Sequence, residues 1–304
     1  MSADLVCLGN LVVDDVVYAD GRTRMGEAGG AMLYTALGAA LWGVRVAVVA
    51  PLGDDYPRAT LAALAGRGVD VSALRPLGRT GLRSWLLYEP SGRLIVHRLD
   101  SVGHVTGSPL PDDVAGRFAD ARAYHVSPTP LVCQRPLLET LSARRGALLS
   151  LDPHDPLRDE SLDEWRAALA LADVFFVSSE ELRLEGEARR PGASLGRLAG
   201  GRLKLVLLKR GAAGGLLYDT ATDETRAWEP RAATVVDPTG AGDAFAGGFL
   251  AGRLDGEDVA GALERAVVSA SFAIETWGAA GLLAATPDAA RRRRAEWFGT
   301  EARG

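Results

Sequence analysis

The chain has 304 residues, 47% hydrophobic and 24% charged, with a formal net charge of −5 at pH 7. That length can bury a large core, as one sizeable α/β domain or two smaller ones. The acidic balance gives no electrostatic footprint for nucleic acid, and the apolar stretch 36–51, interrupted by Arg45, is too short to span a bilayer. Neither nucleic acid nor a membrane is therefore an expected partner. Cys7 and Cys133 form no CxxC pair, which fits a reducing compartment, and Cys7 reads as a core thiol. The start Met1-Ser2-Ala3-Asp4 has an acid where a signal peptide needs basic residues, so a cytoplasmic protein is expected.

Residues 5–9 form a short apolar run closed by Gly9, the pattern of a buried strand. A glycine-rich turn over 26–30 leads into a helix predicted at 32–42. A strand at 44–50 and a helix at 57–66 follow. The alternation continues with strands at 147–152, 174–177 and 203–209 and with helices at 163–171 and 179–186. A later helix over 266–277 stops at Gly278. Continuous apolar strands alternating with helices predict an α/β fold, a mainly parallel sheet flanked by helices on both faces.

One stretch breaks this rhythm. Segments 82–88 and 94–99 flank Glu89-Pro90-Ser91-Gly92-Arg93, a turn sequence, and so predict a β-hairpin. With a strand over 12–19 it would make a small second sheet. Of His97 and Arg98, alternation lets one face inward and sends the other to solvent. The four histidines, His97, His104, His125 and His154, lack metal-ligand spacing. The run Arg291 to Arg294 reads as a solvated face of a C-terminal helix. No repeat or linker divides the chain, so residues 1–304 are read as one domain with the small sheet inserted in its first third.

The densest chemistry lies in Val235-Val236-Asp237-Pro238-Thr239-Gly240-Ala241-Gly242-Asp243-Ala244-Phe245. Small residues let the backbone turn tightly, and a helix starting there points amides and its positive end at one spot, an anion site. A carboxylate beside an anion cradle is out of place unless it takes a proton from the hydroxyl that attacks the held group. Asp243 then serves as base, while the amides of Gly240, Ala241 and Gly242 hold a transferring phosphoryl. The plain alternative is Asp243 as the N-cap of an ordinary helix.

This segment closely resembles the C-terminal signature of the ribokinase-like (PfkB) carbohydrate kinases, an Asp-x-Thr-Gly-Ala-Gly-Asp run, and other parts of the chain match as well. The resemblance implies an ATP-dependent kinase that phosphorylates a hydroxyl of a small sugar or cyclic polyol, with a nucleoside as the alternative acceptor. A non-catalytic binding protein that keeps the fold is the reading from another class. The small sheet, about 12–24 and 82–104, would be a lid over the sugar. Gly29 and Gly30, in Ala28-Gly29-Gly30-Ala31-Met32-Leu33-Tyr34, match the N-terminal signature and would face the acceptor. Tyr34 stands where that signature has an asparagine. A ring in place of an amide argues against ribose and for a ring-shaped polyol, inositol first, or a nucleoside. Asp14 matches an aspartate that accepts substrate hydroxyls, with Asp15 as its rival; alternation along a strand lets only one of them face the pocket. Gly53-Asp54-Asp55 reads better as an Asx-capped turn.

Ser178 and Glu181 occupy the place of the family's Asn-x-x-Glu, which helps position Mg²⁺; they also form a capping box on their own. Lys209-Arg210-Gly211 resembles the nucleotide loop, which assigns Lys209, Gly211 and Thr239 to ATP. In many members the region around 266–277 supplies carbonyls to a monovalent cation such as K⁺. A homodimer is among the assemblies the resemblance allows.

Overall fold

The computed structural model describes residues 2–89 and 92–299; the hairpin turn expected at Pro90 and Ser91 lies outside them. The first elements are β1 (Leu5–Leu8), β2 (Val12–Val17), β3 (Thr23–Gly29), α1 (Ala31–Ala40), β4 (Val46–Leu52), α2 (Arg58–Gly66) and β5 (Asp70–Pro76). Next come β6 (Leu82–Glu89), β7 (Gly92–His97), α3 (Pro111–Val114), β8 (Ala123–Val126), α4 (Leu131–Ser142), β9 (Leu148–Leu151) and α5 (Leu162–Leu169). The chain continues through β10 (Val174–Ser178), β11 (Leu205–Lys209), β12 (Gly215–Asp219), β13 (Glu224–Trp228) and α6 (Ala241–Leu254). It closes with α7 (Val259–Ile274), α8 (Ala280–Ala284) and α9 (Pro287–Phe298).

Among the described residues the strands form a nine-stranded sheet, ordered β13-β12-β11-β10-β9-β8-β1-β4-β5, and a four-stranded one, ordered β3-β2-β6-β7. The large sheet is parallel from β11 through β5, and β12 and β13 add an antiparallel edge. Its central strands are apolar throughout because both faces are covered. Leu5 and Cys7 of β1 enter the core on the side of α1, α6 and α7, while Val6 and Leu8 enter the core that Leu137, Leu138 and Trp165 of α4 and α5 complete. The same alternation runs through β4, β10 and β11. Helix α6 docks closely on α1: a Cβ on Gly38 would stand 2.5 Å from Ala244 O, and one on Gly247 only 2.1 Å from Thr35 O. This contact fixes where α6 begins, and hence where its first amides point.

Several elements differ from the sequence reading. Most of the expected 26–30 turn belongs to β3, whose largely exposed polar residues pair with β2 and show no apolar alternation. The expected helix over 179–186 is a series of turns, because its backbone pairs sideways: Leu157 N donates to Glu181 O and Arg183 N to Leu157 O, both at 2.8 Å. The helix at 266–277 begins earlier and ends at Ile274. Strands β5 and β8 and helix α4 were not anticipated. In the arginine run, Arg291 is exposed, but Arg293 pairs with Glu275 at 2.9 Å and Arg294 with Glu257 and Glu264 at 2.7 and 2.9 Å. Half the run therefore fastens α9 to its neighbours instead of forming a solvated face.

Candidate active site

Strand order reverses between β1 and β8, since the chain leaves β1 for β4 on one side and later builds β8 on the other. In open α/β sheets the crevice at such a point, beyond the carboxyl ends of the strands, is where ligands lie. The residues just past those ends are Asn10 (β1), Ser127 (β8) and Asp152 (β9), with Ser178 and Lys209 closing β10 and β11.

At the β9–β11 side the cleft is charged. Lys209 Nζ lies 2.7 Å from Asp152 Oδ2, both largely buried. Burial works against the lysine's charge, but Asp152, Glu181 and Asp243 outweigh it and hold its pKa above the ordinary value. Burial pushes Asp152 well above the usual carboxylate range, and the neighbouring charges of Glu181 and Asp243 add to this against the pull of Lys209. The second oxygen of Asp152 is buried with no hydrogen-bond partner among the described residues. Glu181 and Ser178 hold each other: Ser178 N donates to Glu181 Oε2 at 2.7 Å and Glu181 N to Ser178 Oγ at 3.3 Å. The capping box thus forms, although a turn follows it and not a helix.

Helix α6 starts beside this cluster. Its N-cap position is Gly240, in the left-handed region at φ 76°, and Asp243 sits in the first turn. Asp243 is therefore not the N-cap. Gly240 is required twice over, since a Cβ there would also stand 2.1 Å from the Tyr34 ring. Gly242 is helical, and Lys209 Nζ lies 3.2 Å from where its Cβ would be. The Ala241 amide reaches back to Pro238 O at 3.3 Å. The lysine, the helix start and Asp243 thus share one small volume.

Under the small sheet the walls change character. A cavity there is lined by Asp14, Tyr18, Glu27, Tyr34, Asp237 and Trp277, among others. Asp14 lies so close to Gly29 that a Cβ on that glycine would meet its carboxylate at 1.8 Å. Gly30, at φ 103°, packs against Asn10 O. Asp15 is buried too, on the opposite face of β2. It accepts from Gly26 N at 2.8 Å and pairs with Arg98 and Arg83, while Asp14 lines the cavity.

Tyr34 is almost wholly buried with its ring against Gly240, so it does not offer an open ring face to a ligand. Burial, then the charges of Asp14 and Asp237, raise its pKa well above the ordinary tyrosine value, with Tyr56 and Asp243 contributing. Its hydroxyl therefore stays protonated.

The sheet is fastened down over this cavity. Tyr88 of β6 shares a hydrogen bond with Thr239 Oγ1 at 2.5 Å and lies 3.4 Å from Asp237 Oδ1. Tyr18 stacks on Tyr88 at 5.3 Å and meets the edge of Trp277 at 4.7 Å. Asp237 also accepts from Thr239 N and Gly278 N, both at 3.0 Å. Thr239, assigned to the nucleotide, is thus placed in the cavity under the small sheet. Gly211 lies on the exposed loop after β11, at φ 53°. The Gly53–Asp55 turn does more than cap itself, since Asp55 Oδ1 accepts from Gly81 N at 2.7 Å at the base of the small sheet. Asp152, Tyr88 and Trp277 were missed by sequence reasoning, and Asp237 entered it only as the first residue of the signature run without a role of its own; Asp152, just past a buried strand and before a proline, carried a local signal.

A helix start facing an acid and a lysine at the mouth of a parallel sheet, beside a polar cavity under a second sheet, defines a phosphotransferase. The chain belongs to the pfkB family of carbohydrate kinases, whose model matches residues 2–285. It is an ATP-dependent kinase with a ribokinase-like fold. It is 30% identical over 279 residues to the cytidine kinase of Thermococcus kodakarensis, covering 90% of this chain and 97% of that one. Among solved structures, the Burkholderia thailandensis nucleoside kinase in complex with inosine superposes with a TM-score of 0.74 at 20% identity, covering 97% and 98% of the two chains. The ribokinase from Cryptococcus neoformans in complex with ADP gives 0.75 at 20% identity, covering 96% and 100%. No helix among the described residues is long and apolar enough to cross a membrane.

Proposed function

We propose that Asp243 is the general base of a phosphoryl transfer from ATP to a hydroxyl of a small polyhydroxylated acceptor, a sugar, cyclic polyol or nucleoside. The acceptor hydroxyl gives its proton to Asp243, its oxygen attacks the γ-phosphorus, and the bond to the β-phosphate oxygen breaks to leave ADP. Amides at the start of α6 take the charge of the phosphoryl group in transit. Asp14 and the backbone at Gly29 and Gly30 hold the acceptor; ATP lies toward Lys209 and Gly211. The observation that carries this reading is the placement of Asp243 in the first turn of α6, where its charge acts both on Lys209 and on Tyr34 in the acceptor cavity.

The residues fit a divalent cation. Three carboxylates surround one lysine, and Asp152 keeps a buried, unpartnered oxygen. Among the described residues no three acids, histidines or cysteines converge into a full protein cage, as suits Mg²⁺, which keeps several waters. Asp152 and Glu181 would hold it, and when bound it supplies positive charge to the phosphates. A monovalent cation would act through the loop that Asp237 fastens, where comparing activity in potassium, sodium and choline salts reads it out. Free thiols at Cys7 and Cys133 suit a cytoplasmic site of action. The direct test is ADP formation with ATP and a panel of sugars, polyols and nucleosides. Acceptor-dependent ADP release is expected, and its absence across the panel would overturn the reading.

A further inference from the structure

Three of the four histidines meet at one place, His154 joining His97 and His104 from fifty residues farther along the chain. The rings of His97 and His104 lie 5.0 Å apart and those of His104 and His154 4.6 Å. His97 ends β7, His104 lies on the segment returning from the small sheet, and His154 stands two residues past Asp152 at the end of β9. Register fixes which way His97 faces. Asp14 pairs with Ser84 across β2 and β6, and Ser84 with His97 across β6 and β7. Directly opposed residues share a face of a sheet, so Asp14, Ser84 and His97 form one row on the side turned to the acceptor. Two strand spacings, about 10 Å, separate the ends of that row. The His104 segment is tied to the same site: Ser108 Oγ donates to His104 O at 2.6 Å and to Asn10 Oδ1 at 3.3 Å, and Asn10 O packs on Gly30.

The chemistry of the cluster is polar. Nδ1 of His97 and of His104 is buried without a hydrogen-bond partner among the described residues, as is the hydroxyl of Ser127 at the adjoining strand end. Cations that would make it an anion site are engaged elsewhere, Arg98 by Asp15 and Asp100 and Arg83 by Asp15 and Asp55. Burial, helped by His154 and His97, holds the His104 pKa down at about 4, so its ring is uncharged at neutral pH. No metal-binding set of three ligands converges there among the described residues. The neutral ring of His104 gives one donor and one acceptor, and the three rings present flat faces, the groups that stack on and read the edge of a nucleobase.

We infer that His97, His104 and His154 form a nucleobase subsite, and that the acceptor is a nucleoside whose sugar lies at Asp14 and whose base reaches the histidines. The inference rests on the kinase reading of Asp14 and Asp243. Specificity constants for cytidine, uridine, adenosine and inosine are compared with those for ribose and inositol, in the full enzyme and in His104→Ala and His97→Asn. At least one nucleoside is expected to exceed ribose and inositol by 100-fold or more. The nucleoside-to-ribose ratio is expected to fall roughly 10-fold or more in the variants, mainly through KM, as when a site loses a hydrogen-bonding group. Retained ADP affinity by calorimetry confirms that each variant is folded. An unchanged ratio in folded variants, or ribose or inositol as the best acceptor, overturns the subsite and leaves the kinase standing; no ADP formation with any acceptor overturns the kinase reading itself.

Discussion

At the β10–β11 end of the cleft, Lys209 sits among Asp152, Glu181 and Asp243 beside the start of α6. Under the small sheet the walls are Asp14, Tyr18, Glu27, Tyr34, Asp237 and Trp277, with Arg83 and Arg98 paired to acids. The first end suits a reaction in which charge moves between oxygens, because fixed charges and dipoles in a dry site stabilise it strongly. The second suits recognition of a neutral molecule by shape and hydrogen bonds. In the proposed reading one end sets the reaction and the other the substrate. Tyr88 connects them, because its hydroxyl reaches the Asp237–Thr239 segment that leads into Gly240.

The largest effect expected from breaking this division is at Lys209. Lys209→Met leaves buried acids without their counter-charge, which costs about 3–5 kcal/mol when a buried pair loses one member. Chemical denaturation should show that loss, and adding Asp152→Asn should restore much of it; a stable single variant would mean that the pair is not coupled as described. Gly240→Ala comes next. The left-handed backbone costs about 1–2 kcal/mol for an alanine, and its Cβ would collide with the Tyr34 ring. Turnover should fall toward 10²-fold, the size seen when one oxyanion donor is misplaced. Gly242→Ala, at a helical position, should cost far less, and equal losses at the two glycines would erase the distinction.

Tyr88→Phe removes one hydrogen bond between the two ends. A net loss of about 1–1.5 kcal/mol corresponds to roughly 10-fold in acceptor KM with nucleotide affinity little changed. Hydrogen exchange in 82–89 and 92–99 should slow with acceptor and not with nucleotide alone, and the variant should weaken that response. Protection by nucleotide alone would place the control elsewhere.

The last effect is in acid. Burial holds His125 down to about 3 and His104 to about 4, both below the ordinary 6.5. The unfolded chain then binds protons that the folded chain does not, so stability is full above about pH 6.5 and declines as pH falls toward those values. The slope is up to about 1.4 kcal/mol per pH unit for each histidine. His125→Gln should flatten it in denaturation curves between pH 6.5 and 4, and an unchanged slope would remove His125 from the account.

The sequence was most legible where spacing is local. Val235 to Asp243 carries a turn and a helix start in consecutive residues, and β1, β4, β10 and β11 announce themselves as apolar runs. What stayed hidden depends on partners far along the chain. Thr23 to Gly29 is exposed over its first four residues and shows no apolar alternation, and is a strand because β2 lies beside it. Asp15 is buried on the far face of β2 because Arg83 of β6 and Arg98, just past β7, cover it. Spacing showed only that the histidines lack a metal-ligand pattern, and the pairing of β6 with β7 and the ends of the larger sheet bring three of them together. Tyr34 read as an open aromatic face because its contact with Gly240 spans two hundred residues.

The central claim is that Asp243 removes the acceptor's proton at the charged end of the cleft. Asp243→Asn keeps the size of the side chain and removes its basicity. Steady-state ADP formation with the best acceptor, measured alongside ATP affinity by calorimetry, tests this most directly. The account predicts turnover lower by about 10²–10⁴-fold with ATP affinity largely retained, and near wild-type turnover in a folded Asp243→Asn enzyme would contradict it.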